Sequence, residues 1–155
     1  AANAILEKKK KKVLALFGNK NLSITKKRLE AFVNATKGKT EVLIHHVSNS
    51  DEALNVTKKV LAEKPDTVFC MSDEILTGAM KAIQQAALKV PNNISVIAIS
   101  NGFIPKLYYP EITYAETSGY KLGKLAFESM MASLDNINLH QELILESSLV
   151  NGGSI

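Results

Sequence analysis

Short apolar runs alternate with stretches in which apolar residues recur every three or four positions, and the alternation persists along most of the chain. Val13-Leu14-Ala15-Leu16-Phe17 is unbroken and closed by Gly18, which predicts a strand buried on both faces. A short helix over Ala4 to Lys10 precedes it. A polar loop, Asn19 to Thr25, leads to a helix reaching about Thr36, with Leu29, Phe32 and Val33 on one face and Gly38 as a stop signal. Val42-Leu43-Ile44 predicts a second strand. The helix after it has Ser48 and Asp51 spaced as a capping box, an apolar face of Leu54, Val56, Val60 and Leu61, and Pro65 as a block to extension.

Thr67 to Met71 predicts a third strand, with Ser72 and Asp73 as N-cap residues for the next helix. Ile75, Leu76, Ala79, Met80 and Ile83 make one apolar stripe on that helix. Pro91-Asn92-Asn93 turns the chain into a fourth strand, Ile94 to Ile99. Beyond a loop with Pro105 and Pro110 come a short strand at Ile112 to Ala115 and a long helix from Ser118 to Leu134. The tail from Glu142 to Val150 reads as a last strand pair or edge strand, with Gly152-Gly153 frayed beyond it. Strands and helices in this order imply an α/β fold: a doubly wound, mainly parallel, Rossmann-like sheet with helices on both faces.

Composition bounds the class without naming a function. The 155 residues, 46% hydrophobic and 22% charged, are one domain's worth of foldable chain. No apolar run approaches the ~20 residues of a membrane helix, and no signal-peptide pattern is present. Cys70 is the only cysteine, so no internal disulfide forms; this suits the cytoplasm. Cys70 sits in an apolar run with nothing basic beside it and reads as a structural thiol. The net charge of +4 is more than supplied by Lys8 to Lys12, a run without interleaved aromatics that reads as a solvated helix end.

Open α/β sheets bind ligands beyond the carboxyl ends of their strands. That rule picks out Asn19, Asn21, Ser23 and Thr25 after strand one, and His46, Ser48 and Asn49 after strand two. Ser72 and Asp73 follow strand three; Ser100, Asn101 and Phe103 follow strand four; Arg28 lies nearby on its helix. Neutral hydrogen-bonding groups with one aromatic and one arginine suit a polyhydroxylated ligand. Helix capping alone accounts for the residue types at Ser48, Ser72 and Asp73, so it is the convergence of four loops on one edge that raises the ligand reading.

Catalysis finds no support. The first loop lacks both G-x-G-x-x-G and G-x-x-x-x-G-K. His45 and His46 are neighbours on a strand, point to opposite faces and cannot share a metal; His140 stands alone near a turn. A zinc site needs three or four converging ligands, no serine sits in G-x-S-x-G, and Cys70 has no activating base. No enzyme activity, metal or cofactor is expected.

The run Pro65-Asp66-Thr67-Val68-Phe69, then Ser72-Asp73, Gly78-Ala79-Met80 and Val90-Pro91-Asn92-Asn93-Ile94-Ser95-Val96-Ile97, resembles the LacI/GalR family of bacterial transcription regulators over about a third of the chain. Weaker matches flank it in order: Lys11 to Leu16 with Arg28-Leu29-Glu30-Ala31-Phe32 before it, and Pro110-Glu111-Ile112-Thr113-Tyr114 with Gly119 and Leu122 to Ala126 after it. The resemblance implies that residues 1–155 are the C-terminal subdomain of an effector-binding core resembling periplasmic sugar-binding proteins. Residues 118–143 would form a crossover segment that normally packs on the missing N-terminal subdomain. The implied protein is a cytoplasmic homodimer that senses a small-molecule effector, a carbohydrate, and binds operator DNA only through a helix-turn-helix headpiece missing from this chain. No membrane contact is implied. By the same resemblance the effector-contacting arginine falls on Arg28. The polar position before the family's aspartate falls on Ser72, the first acid of its G-[FY]-D-[DN] motif on Ser100, and a stacking position roughly on Ser48.

The sequence departs from the family at Ala98-Ile99-Ser100-Asn101, where a glycine, an aromatic and an acid are replaced, and at Ser72, where asparagine is usual. Losing the carboxylate removes a charge-assisted acceptor for a ligand hydroxyl, a bond typically worth about 1.5–3 kcal/mol; Phe103 is a candidate to restore an apolar face. The alternative reading is a periplasmic sugar-binding protein of a transport system, from which the V-P-x-x-I-S-V-I run tilts the reading toward a regulator.

Overall fold

The computed structural model describes residues 1–134 and 143–155. His140 and Glu142, the expected start of the tail, lie outside the described residues. The sheet has six strands: β1 (Lys12–Phe17), β2 (Glu41–His46), β3 (Thr67–Cys70), β4 (Ser95–Ser100), β5 (Thr113–Glu116) and β6 (Leu149–Val150). Their order is β2-β1-β3-β4-β5-β6; the first five run parallel, and β6 pairs antiparallel with β5. The expected α/β fold is therefore observed.

Central position explains the unbroken apolar runs. Val13 to Phe17, Val68 to Cys70 and Val96 to Ala98 are all buried, whereas β2 lies at the edge and alternates between exposed and half-buried residues. Phe17, Phe32 and Phe69 form an aromatic cluster, with Phe32 stacked on Phe69 at 4.5 Å between centroids and Phe17 edge-on to Phe32 at 5.9 Å. Helices α1 (Ala2–Glu7) and α2 (Ser23–Thr36) pack together; α3 (Ser50–Val60) and α4 (Asp73–Gln85) do so as the other layer. Right-handed crossovers place α2 on one face of the sheet and α3 and α4 on the opposite one. The predicted stripe on α4 is buried in full, and Gly78 lets α4 approach α3 so closely that an added Cβ would lie 2.0 Å from the Ser50 carbonyl oxygen.

Several boundaries differ from expectation for identifiable reasons. α1 ends at Glu7 because Lys9 takes a left-handed φ of 54°. α3 is capped by Asn49, whose Oδ1 accepts the Glu52 amide at 2.9 Å, while Glu52 Oε2 accepts the Ser48 amide at 2.7 Å. The expected pair Ser48–Asp51 is thus displaced by one residue: asparagine and serine cap about equally well, and Asn49 places Glu52 at the reciprocating position.

The end of the described chain also corrects its expectation. Gly152-Gly153 does not fray. Ser154 is fully buried; its Oγ accepts the Thr113 amide at 2.7 Å and donates to the Val96 carbonyl, and the Val96 amide donates to the Ser154 carbonyl at 2.9 Å. The Gly152 amide donates to Thr113 Oγ1 at 3.1 Å. One serine thereby joins β4 to β5 from below. Ser154→Ala orphans the buried Thr113 amide and is expected to lower unfolding stability by about 1–3 kcal/mol, read as a lower urea midpoint with unchanged slope.

Helix α5 (Gly119–Leu134) buries no residue. Tyr120, Leu122, Phe127, Met130, Met131 and Leu134 are all exposed.

Candidate effector-binding rim

Parallel pairing sets the carboxyl ends of β1 to β5 along one rim. Arg28 rises toward it from the second turn of α2. Its Nη1 donates to the Met71 carbonyl at 3.4 Å, a long bond that ties α2 to the exit of β3. No carboxylate lies within 4 Å of its guanidinium among the described residues. Burial lowers its pKa from the ordinary arginine value, since the charged form loses hydration. Arg28 still carries its charge and stands under-solvated between two hollows. One, of about 270 Å³, lies over the sheet beside Phe69, Ile99 and Ala115. The other, of about 580 Å³, opens toward Glu116, Thr117, Ser118 and Lys121 and is walled by Leu143 to Ser147.

The next exits stand side by side. Ser72 caps α4, its Oγ accepting the Ile75 amide at 3.4 Å. Asp73 Oδ2 accepts the Asn101 amide at 3.5 Å and so links the exits of β3 and β4, while its Oδ1 is buried with no donor in reach among the described residues. At β4 the hydroxyl of Ser100 turns inward: the residue is 2% exposed, and its Oγ accepts the Gly102 amide at 2.9 Å. Asn101 is exposed, and its Oδ1 accepts the Phe103 amide at 3.1 Å, which holds Phe103 outward with 67% of its surface exposed. Gly102 has φ +94°, and any Cβ there would lie 2.6 Å from Tyr114 Oη, so the turn has room only for glycine.

Arg28, Ser72, Asp73, Ser100, Asn101 and Phe103 thus lie along adjacent strand exits. Ser48 does not join them: it is exposed beyond edge strand β2, two strand positions from β3, and bonds within its own helix cap. Glu116, Thr117, Ser118 and Lys121 share Arg28's larger hollow but were not expected there, although the strand-exit rule, extended to β5, names the first three. Glu116 and Lys121 pair at 3.7 Å, and the Thr117 amide donates to the Ser100 carbonyl at 2.8 Å. The wall at 143–147 adopts no helix or strand and carries no local signal in the sequence. Elsewhere His46 Nδ1 bonds the Gly18 carbonyl at 2.8 Å, and among the described residues no group of three or more His, Cys, Asp or Glu is placed to hold a metal ion. Burial pushes the Cys70 thiol far above its usual pKa, which keeps it protonated.

The fold has known counterparts. A family model described as a periplasmic binding protein-like domain matches residues 2–155. The chain is 28% identical to the ribose operon repressor of Haemophilus influenzae over 163 residues, spanning 100% of this chain and 49% of that protein. It is 24% identical to the HTH-type transcriptional repressor PurR of Vibrio vulnificus over 152 residues, spanning 89% of this chain and 46% of that protein. Among solved structures, the Escherichia coli transcriptional repressor ascG superposes with a TM-score of 0.86 at 18% identity, covering 99% of this chain and 60% of that one. The chain belongs to the periplasmic binding protein-like domain family, and these curated relatives are transcriptional repressors. It spans about half the length of the curated relatives it matches.

Ser100 and Ser48 separate loop construction from exposed capping. Ser100→Ala leaves the buried Gly102 amide unpaired and is expected to cost about 1–2 kcal/mol, whereas Ser48→Ala is expected to stay within about 0.5 kcal/mol. Urea unfolding of the two variants checks the contrast.

Proposed function

We propose that this chain is the C-terminal half of the sensor of a cytoplasmic transcription regulator, and that its rim contributes one wall of a cleft for a small polyhydroxylated effector, a carbohydrate. The observation that carries the reading is Arg28: a half-buried guanidinium between two hollows at the rim, with no carboxylate within 4 Å among the described residues. A sugar hydroxyl can accept from the guanidinium, and that bond is charge-assisted. Asn101 offers an exposed carboxamide NH2, and Phe103 an exposed ring for the C–H face of a sugar. Ser72 works through the α4 cap that sets Asp73. Ser100 works through the turn that presents Asn101 and Phe103, rather than by touching ligand. Ser48 stays in the proposal only as a contact that closure on the other half of the protein would bring in. No turnover is proposed, since nothing on the rim pairs a nucleophile with a base.

In the whole protein, the other half of the cleft, a helix-turn-helix headpiece for operator DNA and a second copy of the chain complete the device. Residues 118–143, of which 135–142 lie outside the described residues, are proposed as the crossover. The bare apolar face of α5 supports this, because a helix with six exposed large apolar side chains requires a partner. Alone, the chain is expected to elute above its monomer mass of 16.9 kDa, and Phe127→Ser with Leu134→Ser to return it toward that mass. A clean wild-type monomer with α5 mobile in solution would count against the crossover assignment.

The effector reading is tested by a thermal-shift screen of sugars, nucleosides and phosphorylated metabolites on the intact protein. A ligand at 100 times its Kd adds about 2.7 kcal/mol to the native state, a shift such a screen resolves. Arg28→Ala is expected to abolish the shift while the unliganded melting curve changes little. A shift that survives Arg28→Ala removes this residue from the site.

A further inference from the structure

The opposite rim, where the parallel strands begin, gathers positive charge from segments far apart in the sequence. Lys8 to Lys12 lead into β1, Lys37 and Lys39 into β2, and Lys64 into β3. These strands are neighbours in the order β2-β1-β3, and the Glu41 and Asp66 amides donate to the Lys11 and Lys12 carbonyls, so the three segments meet. The lysine run that reads as a solvated helix end in isolation is thus part of a larger surface. Eight lysines stand there against Glu7, Glu41, Glu63 and Asp66, an excess equal to the net charge of +4 of the whole chain. Lys12 pairs with Glu41 at 3.1 Å and with Glu63 at 3.7 Å, and Asp66 accepts the Lys11 amide at 2.7 Å. Glu41, Glu63 and Asp66 are therefore engaged with Lys12 or with the backbone, which leaves Glu7 as the one acid of the four without such a contact among the described residues. Among the described residues, Lys8, Lys9, Lys10, Lys11, Lys37, Lys39 and Lys64 have no carboxylate within 4 Å, and all but Lys10 are exposed.

We propose that this rim is a sequence-independent contact surface for the phosphate backbone of duplex DNA, separate from the effector rim and from any headpiece. The three strands set the outer loops about 10 Å apart, and a duplex presents one charge per ~1.7 Å of axis. Several lysines therefore reach phosphates of one segment together. The surrounding chemistry separates this partner from other polyanions. Residues 8–11, 37–40 and 63–66 expose no apolar side chain to enter a bilayer, since Pro65 is buried and the rest are Lys, Gly, Thr, Glu or Asp. They carry no aromatic residue on which a single strand would stack; Tyr108 and Tyr109 precede β5, two strands beyond β3. A regulator of this family works beside DNA, where a weak phosphate surface gains from high local concentration.

The test is fluorescence anisotropy of this 155-residue chain with two 20-base-pair duplexes of unrelated sequence between 50 and 200 mM salt. Both duplexes are expected to bind alike, and affinity to fall roughly 200-fold across that range, as about four or five phosphate contacts require. Two variants divide the surface: Lys8→Gln with Lys9→Gln, Lys10→Gln and Lys11→Gln, and separately Lys37→Gln with Lys39→Gln and Lys64→Gln. Each is expected to flatten the salt dependence and weaken binding at least tenfold at 50 mM salt with an unchanged melting curve, and lysine-to-arginine versions to restore it. Lys20→Gln with Lys26→Gln and Lys27→Gln, on the opposite side, removes as much charge as the second variant and is expected to leave binding intact. Absence of binding at 50 mM salt overturns the proposal. So does an unchanged salt dependence in the second variant, an equal loss in the opposite-side control, or tighter binding to phosphatidylserine-containing vesicles than to duplex.

Discussion

Parallel pairing of β1 through β5 is the constraint on which the remaining features depend. Because these strands run in one direction, every strand-to-helix turn falls on one rim and every helix-to-strand turn on the other. The residues that look scattered in the sequence, Arg28, Asp73, Asn101 and Phe103, are brought together by this alone. The pairing in turn rests on burial: Val13 to Phe17, Val68 to Cys70 and Val96 to Ala98 lose water on both faces of the sheet, and only a sheet covered by helices on each side provides that environment. The aromatic cluster of Phe17, Phe32 and Phe69 then fixes α2 against the sheet and, with it, the height at which Arg28 reaches the rim.

At that rim the chain departs from the family pattern that its sequence resembles. Ser100 stands where the family resemblance places an acid, and its hydroxyl is consumed by the Gly102 amide rather than offered to the cleft. The turn it builds lifts Phe103 into solvent, so an acceptor is exchanged for an apolar face at the β4 exit. Charge is concentrated instead at Arg28 and Asp73, neither of which is neutralised by the other within 4 Å among the described residues.

Much of this was legible in the residues. Unbroken apolar runs marked the central strands, and the stripe from Ile75 to Ile83 marked the buried face of α4. What was not legible has physical reasons. The cap of α3 moved from Ser48 to Asn49 because both residue types cap well and tertiary fit chooses between them. The glycines at 152 and 153 looked like a frayed end, yet Ser154, silent as a lone serine, bonds two strands whose positions only the folded sheet defines. The β5 exit and the wall at 143–147 depend on where the chain returns after α5, which no local pattern encodes. The lysine run was visible, but its neighbours Lys37, Lys39 and Lys64 became neighbours only through strand order.

Gly78 carries a consequence for motion. With α3 and α4 in backbone contact near Ser50, neither helix can slide along the other without collision. A displacement of Asp73, the first residue of α4, therefore carries both helices together as a single lever.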